Sequence, residues 1–454
     1  MPISLSFLGA AGTVTGSKYL LRTADGQIMI DCGLFQGLKQ LRLKNWTPLP
    51  IKLDTLDAVV LTHAHLDHSG FLPSIVKSGY GGPIHCSPAT LDICKILLPD
   101  SGHLQEMDAE FANRHGFSKH KPAMPLYTSK DAQTCLEQFQ PIAFESTKKL
   151  SNGAEIYLRR AGHILGASIV QVLWNGTKVV FSGDLGRIND PMMVQPSEVE
   201  EADYLIVEST YGNRRHETED PETVLAQVIN DTVKRGGTVV IPAFAVGRAQ
   251  SLLYYMERLK SSGRIGDVPV FLDSPMAINA SELLCRYPDD HKLSVEQCKK
   301  ACDSAKYVRD VEESKALTTS RMPKVIISAS GMATGGRVLH HLKQYAPNRI
   351  NSILFCGFQA AGTRGASIVA GAESVKIHGE YVPIRAQVRN LGTLSAHADA
   401  DEILTWLKGF RKPPKTTYIT HGEPTASDAL RKRIEEELGW TCAVPEHGAQ
   451  AELS

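Results

Sequence analysis

Apolar and polar positions alternate from the start of the chain. Ile3, Leu5 and Phe7 are separated by Ser4 and Ser6, and the runs KYLLRT and QIMIDCG follow, parted by Asp25-Gly26. Two-residue periodicity broken by turn formers predicts an antiparallel sheet, so MPISLSFLGA reads as a first strand and not as a leader. LDAVVLT predicts a buried strand that runs into a cluster of histidines, and residues 90–115, poor in turn formers, predict a helix. EIYLRR, ASIVQVLW, KVVFSGD and DYLIVES supply four more strands up to residue 209. After Tyr211 the texture changes. PETVLAQVINDTVKRGG and GRAQSLLYYMERLKSSG have helical patterns and alternate with the strand-like runs TVVIPAF, VPVFLDS, KVIISAS and SILFCGF. A helix from Gly335 to Tyr345 and a strand at 382–390 belong to the same alternation, which implies a doubly wound parallel sheet. TTYITHGE then lies between two helical stretches near the end.

This change of texture divides the 454 residues into 1–210, an inserted α/β segment 211–390, and 391–454. Formal net charge is zero, which speaks against a simple charge-driven binder of DNA or membranes. The total hides an asymmetry. Residues 212–390 carry 24 Lys+Arg against 18 Asp+Glu, net +6, and the remainder 25 against 31, net −6. No apolar run approaches the ~18 residues of a membrane span. Nine scattered cysteines, an odd number with only Cys298 and Cys302 close together, predict reduced thiols and a cytoplasmic setting.

The strongest chemical signal is His63-Ala-His65-Leu-Asp67-His68, directly after an apolar strand. Four metal-capable side chains in one tight turn can point two ways and serve two neighbouring ions, and imidazole with carboxylate suits zinc, manganese or iron. His163 after EIYLRRA, Asp184 after KVVFSG and His421 after TTYIT stand at comparable strand ends. Each alone is a weak signal. Together they are consistent with two metal shells, with Asp184 able to bridge. Asp31, at the end of QIMI, is read as orienting a ligand or loop. The loop Gly9–Lys18 lacks P-loop spacing and is read as a turn at the rim.

These residues resemble the ligand set of the metallo-β-lactamase superfamily, whose fold is an αββα sandwich. The resemblance implies one site of His63, His65, His163 and Asp184, a second of Asp67, His68, Asp184 and His421, two zinc ions with manganese as the alternative, and a bridging hydroxide as nucleophile. Within that superfamily the chain resembles the β-CASP subfamily of nucleic-acid-processing proteins, which carry a basic α/β insert. Glu208 in IVEST, His397 in SAHAD and His421 in THGE match the subfamily's additional motifs, and FSGDLGR, SASGM, GGR and GFQAAGT resemble bacterial RNases and the nuclease subunit of the cleavage and polyadenylation specificity factor. A terminal histidine goes with RNA in the family, so His421 favours RNA over DNA.

The resemblance implies hydrolysis of single-stranded RNA, endonucleolytic in preference to 5′-3′ exonucleolytic. Asp67 and Asp184 would act at the metals, with His397 as the acid that protonates the leaving oxygen and Glu208 as its partner. Ser330, Gly331, Gly335, Gly336 and Arg337, near a helix start, and Gly362, Thr363 and Arg364, in a second glycine-rich turn, are expected at RNA phosphates. Relatives often carry Arg where this chain has Ala366, which weakens that expectation. The metals are expected between an acidic and a basic wall. No membrane partner is expected, and a homodimer stays open. Competing readings are a small-molecule hydrolase of the same fold, acting on a lactone or thioester, and an inactive scaffold. The first would need neither the insert nor the Glu208–His397 pair, and the second would be expected to lack ligands.

Overall fold

In the computed structural model, which describes residues 3–116 and 118–454, the initial alternation becomes the strand Ile3–Phe7. It pairs antiparallel with Tyr19–Thr23 on one side and Gln450–Leu453 on the other, with Ile3 opposite Leu453. Tyr19–Thr23 and Gly26–Ile30 complete the expected hairpin. Beyond it the expectation of an antiparallel sheet is corrected, because Ala58–Val60, Ile84–Cys86 and Phe139–Pro141 add in parallel. A parallel neighbour needs a crossover, and the last of these connections carries the helix Pro88–His115.

A second sheet runs Cys442–Ala443, Thr416–Thr420, Tyr204–Glu208, Thr177–Phe181, Ser168–Trp174, Glu155–Arg160 and Thr147–Lys149. The aliphatic faces of the two sheets bury one core, in which Leu5, Phe7, Ile28 and Val60 meet Ile156, Val170, Val179 and Ile206. The ring of Phe7 lies 5.2 Å from that of Tyr418, and that of Tyr19 5.6 Å from Phe181. The two stacked sheets form the sandwich that the resemblance implies. Thr177–Phe181, Tyr204–Glu208 and Thr416–Thr420 are mutually parallel. Glu155–Arg160 shares their direction through two antiparallel pairings. The residues that follow these strands therefore emerge at one edge.

Residues 1–215 with 397–454 form one compact unit and residues 216–396 another. In the second, the strands Lys306–Tyr307, Val270–Leu272, Lys324–Ser328, Thr238–Pro242, Ser352–Cys356 and Gln387–Leu391 lie side by side, all parallel. Their β-branched runs are buried on both faces, under Leu225, Leu252 and Met256 on one side and Leu339, Leu342 and Ile368 on the other. The helix expected from Gly335 begins at Val338.

The expectation of reduced thiols throughout is corrected in this unit. Cys285, at the C-terminus of the helix Pro275–Leu284, is bonded to Cys298 on the helix Val295–Asp303. Their Cα atoms are 6.0 Å apart, a spacing a disulfide can span. Cys302, the cysteine nearest to Cys298 in sequence, shares its helix and is a free thiol. Among the described residues no helix is long and apolar enough to cross a membrane.

Candidate metal centre

The strand Ala58–Val60 delivers Leu61, Thr62 and His63 to the sheet edge, and the short helix Leu66–Ser69 turns Asp67 and His68 back beside them. Gly33 lets the two chain segments close: a Cβ there would stand 1.6 Å from the Asp67 carbonyl oxygen. On the other sheet, Gly183 has φ 56° and packs on Thr62, so that Asp184 leaves its strand in a direction an L-residue at 183 would resist. Asp31 and His421 themselves adopt left-handed φ of 56° and 49°. Such conformations cost energy and persist where surrounding structure enforces them.

Seven side chains converge as a result. His63 Nε2 lies 3.1 Å from His65 Nδ1 and 3.5 Å from Asp184 Oδ2, and His163 Nε2 lies 3.3 Å and 3.6 Å from the same two atoms. Four ligands held at 2.0–2.2 Å around one tetrahedral ion stand roughly 3.3–3.6 Å from each other. The spacing of this group therefore fits a single cation. In the second group, His68 Nε2 is 3.1 Å from His421 Nε2, 3.3 Å from Asp184 Oδ1 and 4.0 Å from Asp67 Oδ2, and His421 Nε2 is 3.6 Å from Asp67 Oδ2. The two oxygens of Asp184 thus face different groups, the arrangement a bridging carboxylate requires. The donor set is nitrogen and oxygen only, which suits zinc or manganese.

The charges favour occupancy. Burial, and then the neighbouring His68, hold His63 well below the usual imidazole range, in the neutral form a metal needs. Burial opposes ionisation of Asp184, but His421, His68 and His63 outweigh it and keep the carboxyl well below its ordinary range. Burial likewise disfavours His68⁺, and Asp184 and Asp31 reverse the balance, raising it well above the ordinary value. A proton there occupies the place a cation would take.

Supporting contacts orient these ligands. Asp31 Oδ2 is 2.7 Å from His68 Nδ1, and its carboxylate also accepts from the Thr62 N–H at 2.7 Å. Thr62 Oγ1 is 3.1 Å from His63 Nδ1, and Thr210 Oγ1 3.0 Å from His421 Nδ1. Sequence reasoning missed both threonines. Their only signal was adjacency, one before His63 and the other two after Glu208. Ser17, in the loop read as a rim turn, donates its N–H to the Asp67 carbonyl at 2.8 Å.

Glu208 ends its strand with both carboxylate oxygens 3.2 Å from His397 Nδ1. Its Oε1 accepts from the Leu185 N–H at 2.6 Å, and the Ala398 N–H donates back to the Leu185 carbonyl at 2.8 Å. His397 Nδ1 is also 3.9 Å from Asp184 Oδ2. Burial pulls the imidazolium down, but Glu208, then Asp184 and Asp67, outweigh it and lift His397 to about 9.

The residues expected at RNA phosphates each make contacts within residues 216–396. Arg337 donates to Asp273 Oδ1 at 2.7 Å and to the carbonyls of Val308 and Arg309 at 3.1 and 2.7 Å, so its charge is met by a buried carboxylate of its own unit. Arg364 donates to the Lys376, Ala333 and Thr334 carbonyls at 2.6, 3.3 and 3.1 Å. Ser330 Oγ accepts from the N–H groups of Thr334 and Gly335 at 3.0 and 3.3 Å, and Thr363 Oγ1 caps the Ala366 N–H at 3.2 Å. Gly331 packs on Phe244, Gly336 has φ 78°, and Gly362 has φ 80°. Strand ends are rich in unsatisfied backbone groups, and these side chains satisfy them locally.

A metallo-β-lactamase sandwich with a two-group His/Asp cluster at its edge and an α/β insert defines a class of metal-dependent hydrolases. Residues 27–233 match the beta-lactamase superfamily domain, 249–368 the Beta-Casp domain, and 381–445 the Zn-dependent metallo-hydrolase RNA specificity domain. The chain is 37% identical over 434 residues to ribonuclease TTHA0252 of Thermus thermophilus, covering 94% of each. It is 32% identical over 465 residues to transcription termination factor FttA of Methanocaldococcus jannaschii, covering 96% of this chain and 70% of that protein. A protein of unknown function from Enterococcus faecalis shares the fold across the whole of both chains, with a TM-score of 0.53 and 14% identity. The chain belongs to the β-CASP family of metallo-β-lactamase proteins.

Proposed function

We propose that the protein is a metal-dependent ribonuclease that hydrolyses single-stranded RNA at internal phosphodiester bonds. The observation that carries this reading is the Glu208–His397 pair at the edge of a two-group metal cluster. A thioester releases a thiolate that needs no dedicated acid, whereas a ribose 3′-oxygen leaves more readily when protonated. The match to an RNA specificity domain over residues that include His397 and His421 supports RNA as the polymer.

Two divalent cations in the cluster would supply positive charge for the phosphoryl oxygens and make water more acidic. His63, His65 and His163 would hold one, Asp67, His68 and His421 the other, and Asp184, with one oxygen toward each group, could serve both. The chain's own residues do the rest. Asp31, Thr62 and Thr210 hold the imidazoles in the tautomer that turns a lone pair inward. Glu208 engages Nδ1 of His397, which makes Nε2 the nitrogen that delivers a proton. Incubation of the metal-loaded protein with circular single-stranded RNA tests the reading. Linear product is expected. An intact circle with loss of the linear form makes the enzyme an exonuclease, and cleavage of a lactone or thioester but of neither RNA removes the nuclease reading.

A further inference from the structure

The segment from Gln36 to Leu53 carries Lys39, Arg42, Lys44 and Lys52 and no acidic residue, within a part of the chain, 1–211 with 391–454, that is net −6. It contains a short helix, Lys39–Lys44, that buries none of its residues. Leu43 and Trp46 are 56% and 58% exposed, Lys39 and Arg42 are exposed, and no ion pair engages any of the four cations among the described residues. A tryptophan so exposed, in a segment whose charged residues are all cations, gains little for the fold that a polar residue would not.

The segment is tied firmly to the metal centre at its base. Asn45 donates to the Phe35 carbonyl at 2.8 Å and accepts from the Phe35 N–H at 2.9 Å, closing the segment onto itself. Gln36 N–H donates to Thr15 Oγ1 at 3.2 Å, and Leu34 N–H to the Leu66 carbonyl at 2.8 Å. Lys44 lies over the Phe35 ring at 5.4 Å. Beneath it the buried Lys18 lies 4.7 and 4.8 Å from the Phe35 and Phe71 rings and bonds the Gly33 carbonyl. Gly33 packs on the Asp67–His68 peptide. Trp46 therefore stands one residue beyond an anchor at Phe35, itself two residues from the glycine that supports the second metal group.

We infer that the segment carrying Lys39, Arg42, Lys44 and Trp46 is a binding site for single-stranded RNA outside the cleaved linkage, with the cations on phosphates and Trp46 stacked on an unpaired base. The inference rests on the ribonuclease reading and names part of its substrate requirement. Charge selects the occupant: cations beside an aromatic face suit a flexible polyanion with exposed bases, and a duplex keeps its bases out of reach of one side chain. A polyanion engaged at the metals must also continue past the residues that surround them.

The test uses the full chain, metal-loaded, carrying His397→Ala to remove the acid while leaving the seven ligands, and fluorescein-labelled oligouridine. Trp46→Ala is expected to weaken binding about tenfold, with Trp46→Phe recovering most of it, as stacking predicts. The triple variant Lys39→Gln, Arg42→Gln, Lys44→Gln is expected to reduce the slope of log affinity against log salt by about two, at ~0.7 per phosphate contact. Parental affinity and slope in both, with metal content and melting unchanged, overturn the inference. So does a lower oligomeric state of Trp46→Ala in sedimentation with RNA affinity intact, which assigns the face to a second copy. In the unsubstituted protein, RNA cleavage combined with normal binding by the surface variants removes only this site. Failure of that protein to bind or cleave RNA removes the ribonuclease reading itself.

Discussion

Replacing Glu208 with Gln tests the proposed acid through its charge while keeping the shape of its partner. The amide oxygen can still accept from the Leu185 N–H, as Glu208 does at 2.6 Å. The amide nitrogen then faces His397 Nδ1, where both Glu208 oxygens now lie at 3.2 Å. That donor opposes the Nδ1 proton, so the imidazolium loses its ion pair and one of its two acceptors. Coulomb's law at this distance and an effective dielectric of about 20 gives about 5 kcal/mol, or nearly four pKa units at about 1.4 kcal/mol each. One opposite charge at such range shifts measured values by about 1–3 units, so a fall of about two units is expected from the parental value of about 9. The active form is the protonated one, so activity is lost as pH rises through this pKa, and the variant loses it earlier. With a drop of about two units, the variant's rate falls toward about a hundredfold below the parent on the basic side of both pKa values and converges with it on the acidic side. The assay is the pH dependence of kcat on a fluorogenic RNA with both proteins metal-saturated, because cations lower the value in both and the separation of the two basic limbs is the quantity sought. Coincident limbs, or an equal loss at every pH, refute the role assigned to the pair.

Asp184→Ala should abolish cleavage and lower the metal content from two per chain, measured by elemental analysis after zinc loading, since its two oxygens face both groups. Near-normal turnover would remove the bridge. Asp31→Asn should weaken metal binding about 10–100-fold in chelator competition, because an amide N–H₂ cannot accept the His68 Nδ1 proton that Asp31 holds at 2.7 Å. Asp273→Asn should destabilise residues 216–396 by about 3–5 kcal/mol in urea unfolding. The buried carboxylate is met by Arg337, His341 and Ser314 at 2.7, 2.7 and 2.6 Å, and an unchanged midpoint would show that those bonds contribute nothing net.

Local order along the chain carried much of the outcome. Period-two runs at Ile3–Phe7, Tyr19–Thr23 and Gly26–Ile30 and the β-branched runs of the insert are legible because a strand's faces are written in its own residues. The turn from His63 to His68 is equally legible, since four donors within one turn cannot be far apart in space. Convergence of the others was decided by the sheets. His68 and His421 are 353 positions apart, follow strands of different sheets, and meet because the two stacked sheets end at one edge. Strand order depends on core packing, which no short stretch of sequence records; resemblance to a family supplied it instead. The same limit explains which partners stayed hidden. Arg337 meets Asp273, 64 positions away, only because the strand Val270–Leu272 brings that carboxylate beneath it. Cys285 and Cys298 become partners only when two helices pack. Thr62 and Thr210 acquire their roles from the imidazoles folded against them. A residue's chemistry is fixed by its side chain, but its partner is chosen by tertiary contact, so the sequence alone determined which groups were available and the fold determined which of them meet.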